Sequence, residues 1–144
     1  MTDRADTQQT RAIMSAVLLL GRRLRAARPR DAVPISQLNA LSILRRLGAM
    51  PAARLAEEML LQPQSLSRLI VSLEEDGLIV RTPGSEDRRT ILLEITGAGR
   101  EAVVYDLAAR QRWLERAMEG LTPEERLALT AASAAMLKLA QAGS

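Results

Sequence analysis

The sequence predicts a mainly helical chain with one small β-hairpin, and three observations predict it. Apolar residues recur at helical spacing through six segments. The period changes to β-branched and apolar runs only at "LIVRT" (78–82) and "ILLEIT" (91–96), on either side of the polar "PGSEDRR". Pro29, Gly48, Pro51, Pro63 and Gly77 stand at the ends of the periodic segments, where helices start and stop.

The first helix is expected over roughly 8–27, with Ile13, Val17, Leu20 and Leu24 on one stripe, ending before Pro29 and a polar link from Arg30 to Pro34. Ser36 reads as the N-cap of a second helix with Leu38, Leu41, Ile43, Leu44 and Leu47 inward, closed by Gly48. Pro51 suits the start of a short third helix, "PAARLAEEML". After a break of two or three residues, Pro63 opens a fourth, "PQSLSRLIVSLEEDG". Its stripe is Leu66, Leu69, Ile70 and Leu73, with Gly77 as the residue just past its end. The hairpin follows. Thr96 can cap a fifth helix to about Glu119, although Gly97 and Gly99 weaken its first turn. Thr122-Pro123-Glu124-Glu125 is a capping box opening an Ala-rich sixth helix.

Composition removes whole classes of function. The chain of 144 residues contains no Cys and no His, which excludes disulfides, thiol redox switches, thiolate metal sites and a Ser–His–Asp triad. No cofactor or metal is expected. Trp113 and Tyr105 are the only aromatic residues, so a stacking platform for single-stranded nucleic acid lacks its parts. No apolar run reaches 18 residues, and the stretch Ala16–Leu20 is too short for a signal peptide; no membrane association and a cytoplasmic location are expected. Residues 1–50 carry nine Arg against three Asp, residues 51–96 five Arg against eight acids, and the remainder balances. Of 20 basic residues, 19 are Arg, which suits bidentate contacts to phosphate or guanine and equally follows from a G+C-rich genome.

A short helix, a tight turn and a second helix make a helix-turn-helix, and a hairpin directly behind them makes a wing. With Leu66, Ile70 and Leu73 inward, Gln64, Arg68, Val71 and Glu75 face outward, with Ser65 and Ser72 on one flank and Ser67 on the other. Arg pairs with guanine, Gln with adenine, and Ser reaches base or phosphate. A polar outer face is ordinary on an amphipathic helix; the wing behind it is what discriminates. Arg88 and Arg89 sit beside Asp87 at the hairpin tip, where an Arg can enter the minor groove and Asp87 can orient a neighbouring Arg. The competing account of this tip is a solvated turn.

Residues 63–101, "PQSLSRLIVSLEEDGLIVRTPGSEDRRTILLEITGAGRE", resemble the MarR family of bacterial regulators. The resemblance lies in the recognition helix, its Leu-Glu-Glu-Asp-Gly-Leu-Ile exit, and the Asp-Arg-Arg wing followed by Thr96-Gly97-Ala98-Gly99. It implies a winged helix-turn-helix with a helical dimerisation region. The expected parts are an N-terminal dimerisation helix and link (1–34), a DNA-binding lobe (35–96) and C-terminal dimerisation helices (97–144). It also implies that Arg88 reaches the minor groove, that Asp87 holds the wing, and that Gln64, Ser65, Ser67 and Arg68 sit in the major groove. Ser72 and Arg89 complete the candidate DNA-binding set.

The expected function is that of a sequence-specific, homodimeric regulator of double-stranded DNA. It is read as a repressor on a pseudo-palindromic operator, with release by a small organic ligand as a candidate mechanism. Tyr105, Trp113 and the Arg22, Arg23, Arg25 and Arg28 group are the available ligand contacts, and no effector is identified by them. One alternative is a winged-helix protein–protein adaptor without DNA binding, against which the outward Gln–Ser–Arg pattern and the wing arginines count. A helical enzyme is the other. Glu57–Glu58, Glu74–Glu75 and Glu124–Glu125 are sequence neighbours that diverge on a helix and form no acid/base dyad.

Overall fold

A computed structural model of the chain describes residues 2–142. In chain order the elements are α1 (Thr2–Ala26), α2 (Ile35–Leu47), α3 (Ala52–Met59), α4 (Pro63–Glu75), β1 (Ile79–Pro83), β2 (Ile91–Ile95), α5 (Gly97–Met118) and α6 (Pro123–Gln141). The two strands pair antiparallel as a hairpin. The mainly helical class with a hairpin wing is therefore the observed one. Helix α1 starts well before the expected residue 8. The segment ahead of Gln8 has no apolar stripe to announce a helix, but it has no Gly or Pro to stop one either.

The chain divides into two compact units: a lobe, Arg28–Ala109, and a helical unit made of the segments up to Ala27 and from Arg110 onward. In the lobe, Leu38, Leu41 and Leu44 of α2, Leu55 of α3, Leu66, Ile70 and Leu73 of α4, Ile79 and Leu93 of the hairpin and Val103 of α5 close one apolar core. Gly99, Val103 and Asp106 of α5 are buried, so packing carries the lobe past the end of the hairpin to Ala109. Gly99 is there for space: a Cβ would overlap the Leu78 carbonyl oxygen and the Ile95 side chain. Leu47, expected inward, is 39% exposed, because α2 ends at that residue and its last turn has left the core.

Hairpin register is fixed by Ile79 opposite Ile95 and Arg81 opposite Leu93. Met50 adds a single bridge on the free side of β2, its N–H donating to Leu93 O (3.2 Å) and its carbonyl accepting from Leu93 N (2.8 Å). One residue between Gly48 and Pro51 is too short to leave a strand pattern in sequence.

Helix ends explain most of the boundaries. After α4, Gly77 takes φ +69°, Leu78 N donates to Leu73 O (2.9 Å) and Gly77 N to Glu74 O (2.9 Å), the Schellman arrangement. After α3 the same pattern recurs, Leu61 N to Ala56 O (3.0 Å) and Leu60 N to Glu57 O (3.1 Å), but the left-handed residue is Leu60. Ser36 does not cap α2. The helix begins at Ile35 on Pro34, which lacks a capping side chain, and Leu38 N bonds the Pro34 carbonyl (3.0 Å). Thr96 does cap α5, accepting from Gly99 N (3.1 Å) while its hydroxyl donates to Gly77 O (2.7 Å). Thr122 and Glu125 form the expected capping box on α6.

Candidate nucleic-acid interface

Helix α4 turns Leu66, Leu69, Ile70 and Leu73 into the lobe, which leaves Gln64, Ser65, Ser67 and Arg68 exposed on its first two turns. Ser67 Oγ donates to Pro63 O (2.9 Å), so its lone pairs remain for an incoming donor. Ser72 is only half-exposed, and its Oγ accepts from Gln37 Nε2 (2.7 Å), leaving the hydroxyl proton for an outside acceptor. The same Gln37 nitrogen donates to Asp76 Oδ2 (2.7 Å). Gln37, on α2 and 2% exposed, therefore fixes the C-terminal half of α4. Sequence reasoning passed over it. The signal was a Gln standing one residue before the first inward leucine of an apolar stripe.

Two of the three acids at the end of α4 are held by residues of other elements, and the third, Glu75, stays exposed at the far end of the outward face. Asp76 is held by Gln37. Glu74 takes both Arg81 Nε (2.6 Å) and Arg81 Nη2 (3.2 Å) from β1. That hydrogen bond, and then the adjacent carboxylate charge, raise the Arg81 pKa above its ordinary value; the pair links helix to wing at an exposed position. The first two turns of α4 contain Arg68 and no acid, and the segment's negative balance lies elsewhere.

In the wing, Gly84 N donates to Thr90 O (2.8 Å) and Thr90 N to Asp87 O (3.0 Å), closing the loop between the strands. Asp87 Oδ1 accepts the backbone N–H of Arg89 (2.9 Å). The carboxylate thus orders the turn through the main chain rather than by gripping a guanidinium. Asp87, Arg88 and Arg89 are exposed, and among the described residues no ion pair holds the Arg68, Arg88 or Arg89 side chains.

Arg28, grouped by sequence with Arg22, Arg23 and Arg25 as an anion contact, is committed internally. Its Nε meets Asp106 and its Nη2 meets the Val33 carbonyl. Tyr105 donates its hydroxyl to Asp31 Oδ1 (2.9 Å). Among the described residues there is no group of three His, Cys, Asp or Glu able to hold a metal. No described helix is long and apolar enough to cross a membrane.

Residues 33–91, which include the whole helix-turn-helix and most of the wing, match the MarR family. An HTH-type transcriptional regulator of Mycobacterium tuberculosis is 36% identical over 135 residues, 94% of each chain. The chain belongs to the MarR family. Another relative, the HTH-type transcriptional repressor MdtR of Bacillus subtilis, is 34% identical over 113 residues, 78% of this chain and 71% of that one. A crystal structure from Pseudomonas aeruginosa, solved as that of a candidate transcriptional regulator, superposes with a TM-score of 0.84 at 34% identity, covering 96% of this chain and 97% of that one. As a MarR-family member the chain is a winged-helix, DNA-binding transcription regulator and not an enzyme.

Proposed function

We propose that this MarR-family chain is a cytoplasmic homodimeric repressor that reads a pseudo-palindromic operator through α4 and clamps it with the wing. The observation that carries the reading is the sorting of side chains on the lobe. The outward Gln64, Ser65, Ser67 and Arg68 hold no acid among them, while Glu74 and Asp76 are tied to Arg81 and Gln37. In this reading Gln64, Ser65, Ser67 and Arg68 meet base edges and Ser72 meets a phosphate. Asp87 shapes the wing from which Arg88 enters the minor groove and Arg89 touches backbone.

Dimerisation is supported by the helical unit. Ile13, Met14, Val17, Leu18 and Leu20 form an exposed stripe along α1, Leu127, Leu137 and Leu139 are exposed on α6, and α6 has no buried residue. A lone soluble chain rarely leaves so much apolar surface uncovered. Two-fold symmetry would present two α4 helices about 34–36 Å apart to successive major-groove faces. The repressor assignment follows MdtR, whose name states it. A small organic effector is a reading supported by a structural neighbour, Bordetella bronchiseptica BpsR, whose DNA binding is regulated by 6-hydroxynicotinic acid.

Fluorescence anisotropy with duplex DNA from upstream of the chain's own gene, against a scrambled duplex and across a salt series, tests the reading. Affinity of about 10⁻⁸–10⁻¹¹ M for the first, far weaker binding to the second and a steep salt slope are expected. Equal weak binding to both, together with no enrichment from a pool of genomic fragments, would favour the adaptor alternative.

A further inference from the structure

Leu60 breaks two local rules at once. It is the one non-glycine residue with positive φ among the described residues (φ 54°, ψ 40°), and at 93% exposure it is their most exposed large apolar side chain. The backbone around it is the same Schellman arrangement that closes α4, where the chain places Gly77. Glycine is the ordinary occupant of that position because a Cβ is strained there. Its neighbours Met59 and Leu61 pack against the core, while Leu60 between them does not. A residue unfavourable in conformation and in exposure, with no internal contact to compensate, points to a role outside the lobe.

Its position names the partner. Leu60 stands three residues before Pro63, the first residue of α4, and lines with Ala53, Ala56, Leu61, Pro63 and Ser67 an open, mainly apolar groove between α3 and α4. Three residues span at most about 10 Å, so an α4 seated in the major groove brings Leu60 to the groove edge. The apolar group available there is the thymine 5-methyl. No other large exposed apolar side chain on α3 or on the first turn of α4 accompanies it. It therefore lacks the clustered anchors of a protein-binding hot spot.

We infer that Leu60 is a specificity residue that packs on a thymine methyl beside the bases read by Gln64; this rests on α4 being the recognition helix. The test is selection from a random-sequence duplex pool by the full chain and by Leu60→Gly and Leu60→Asn, both tolerant of the left-handed backbone. The parent chain is expected to select a thymine in each half-site that both variants cease to select, with the other preferences intact. On the parent's selected duplex the variants bind about tenfold more weakly. Replacing that thymine by deoxyuridine weakens the parent about fourfold and leaves the variants unchanged.

Identical selected sequences and unchanged affinities would overturn the inference. A change in sedimentation-determined oligomeric state with affinity intact would also overturn it, assigning Leu60 to a protein contact. Failure of the parent chain to enrich any sequence would overturn the regulator reading itself, a result distinguishable from the other two.

Discussion

Arg28 Nε and Asp106 Oδ1 stand 2.5 Å apart, with the Asp106 side chain wholly buried and that of Arg28 16% exposed. The same guanidinium binds the Val33 carbonyl, and the adjacent Tyr105 holds Asp31. Two neighbouring residues of α5 thus fasten the link that joins α1 to α2. Asp106→Ala leaves a partly buried guanidinium without its counter-charge and is expected to cost up to about 3–5 kcal/mol, the range for a fully buried pair. The double variant Arg28→Met/Asp106→Leu should recover most of that loss, since apolar replacement of a buried pair is often near neutral. Urea unfolding at fixed protomer concentration checks both. Equal destabilisation by the single and double variants would show that the charges are not what matters.

Gly99→Ala places a methyl group against the Leu78 carbonyl oxygen and Ile95, which must move. Overpacking of this kind is expected to cost about 1–3 kcal/mol. Gly97→Ala, two residues earlier, meets nothing within 4 Å and should be neutral or stabilising by less than about 1 kcal/mol. Thermal melts of the pair separate lack of space from the general cost of a glycine in a helix.

Thr122→Ala removes the hydroxyl that accepts from Glu125 N (3.2 Å) and leaves Glu125 bonded to the Thr122 amide (2.8 Å) with half a box. A loss of about 0.5–2 kcal/mol is expected. Hydrogen exchange should rise in the first turn of α6 and not in the lobe. Uniform change across both units would count against a local cap.

Ser72→Ala reads two roles separately. Gln37 keeps Asp76 as a partner but loses Ser72, which is expected to lower stability by about 1 kcal/mol. A phosphate contact would add a loss of operator affinity that is equal across base-pair variants. Stability loss without affinity loss would leave Ser72 as a purely structural residue.

Wherever local physics decided the outcome, the fold could be read from sequence. The Leu66–Leu69–Ile70–Leu73 stripe, the left-handed glycine at 77, the Thr96 cap and the Thr122 box depend on residues within a few positions of each other. The Met50–Leu93 bridge and the Arg28–Asp106 pair join distant residues, and neither has a periodic signature. Leu60 was illegible for a different reason: nothing about a leucine announces a left-handed backbone, and only the hydrogen bonds from Leu60 and Leu61 reveal it. The exposed face of α4 was readable because the helical period fixed it. That Glu74, Glu75 and Asp76 stand at the far, C-terminal end of α4 was readable as well; the partners of Glu74 and Asp76 were not, since Arg81 and Gln37 lie on other elements.

The most direct test of α4 as the reading surface is a panel of single-base-pair operator variants titrated with the parent chain, Arg68→Ala and Arg88→Ala. The account predicts that Arg68→Ala loses about 1–3 kcal/mol on the operator and becomes indifferent to one base pair in each half-site. Arg88→Ala should weaken binding to every duplex alike and flatten the salt slope by about one. Equal, small losses for both variants, with sequence preference unchanged, would contradict it.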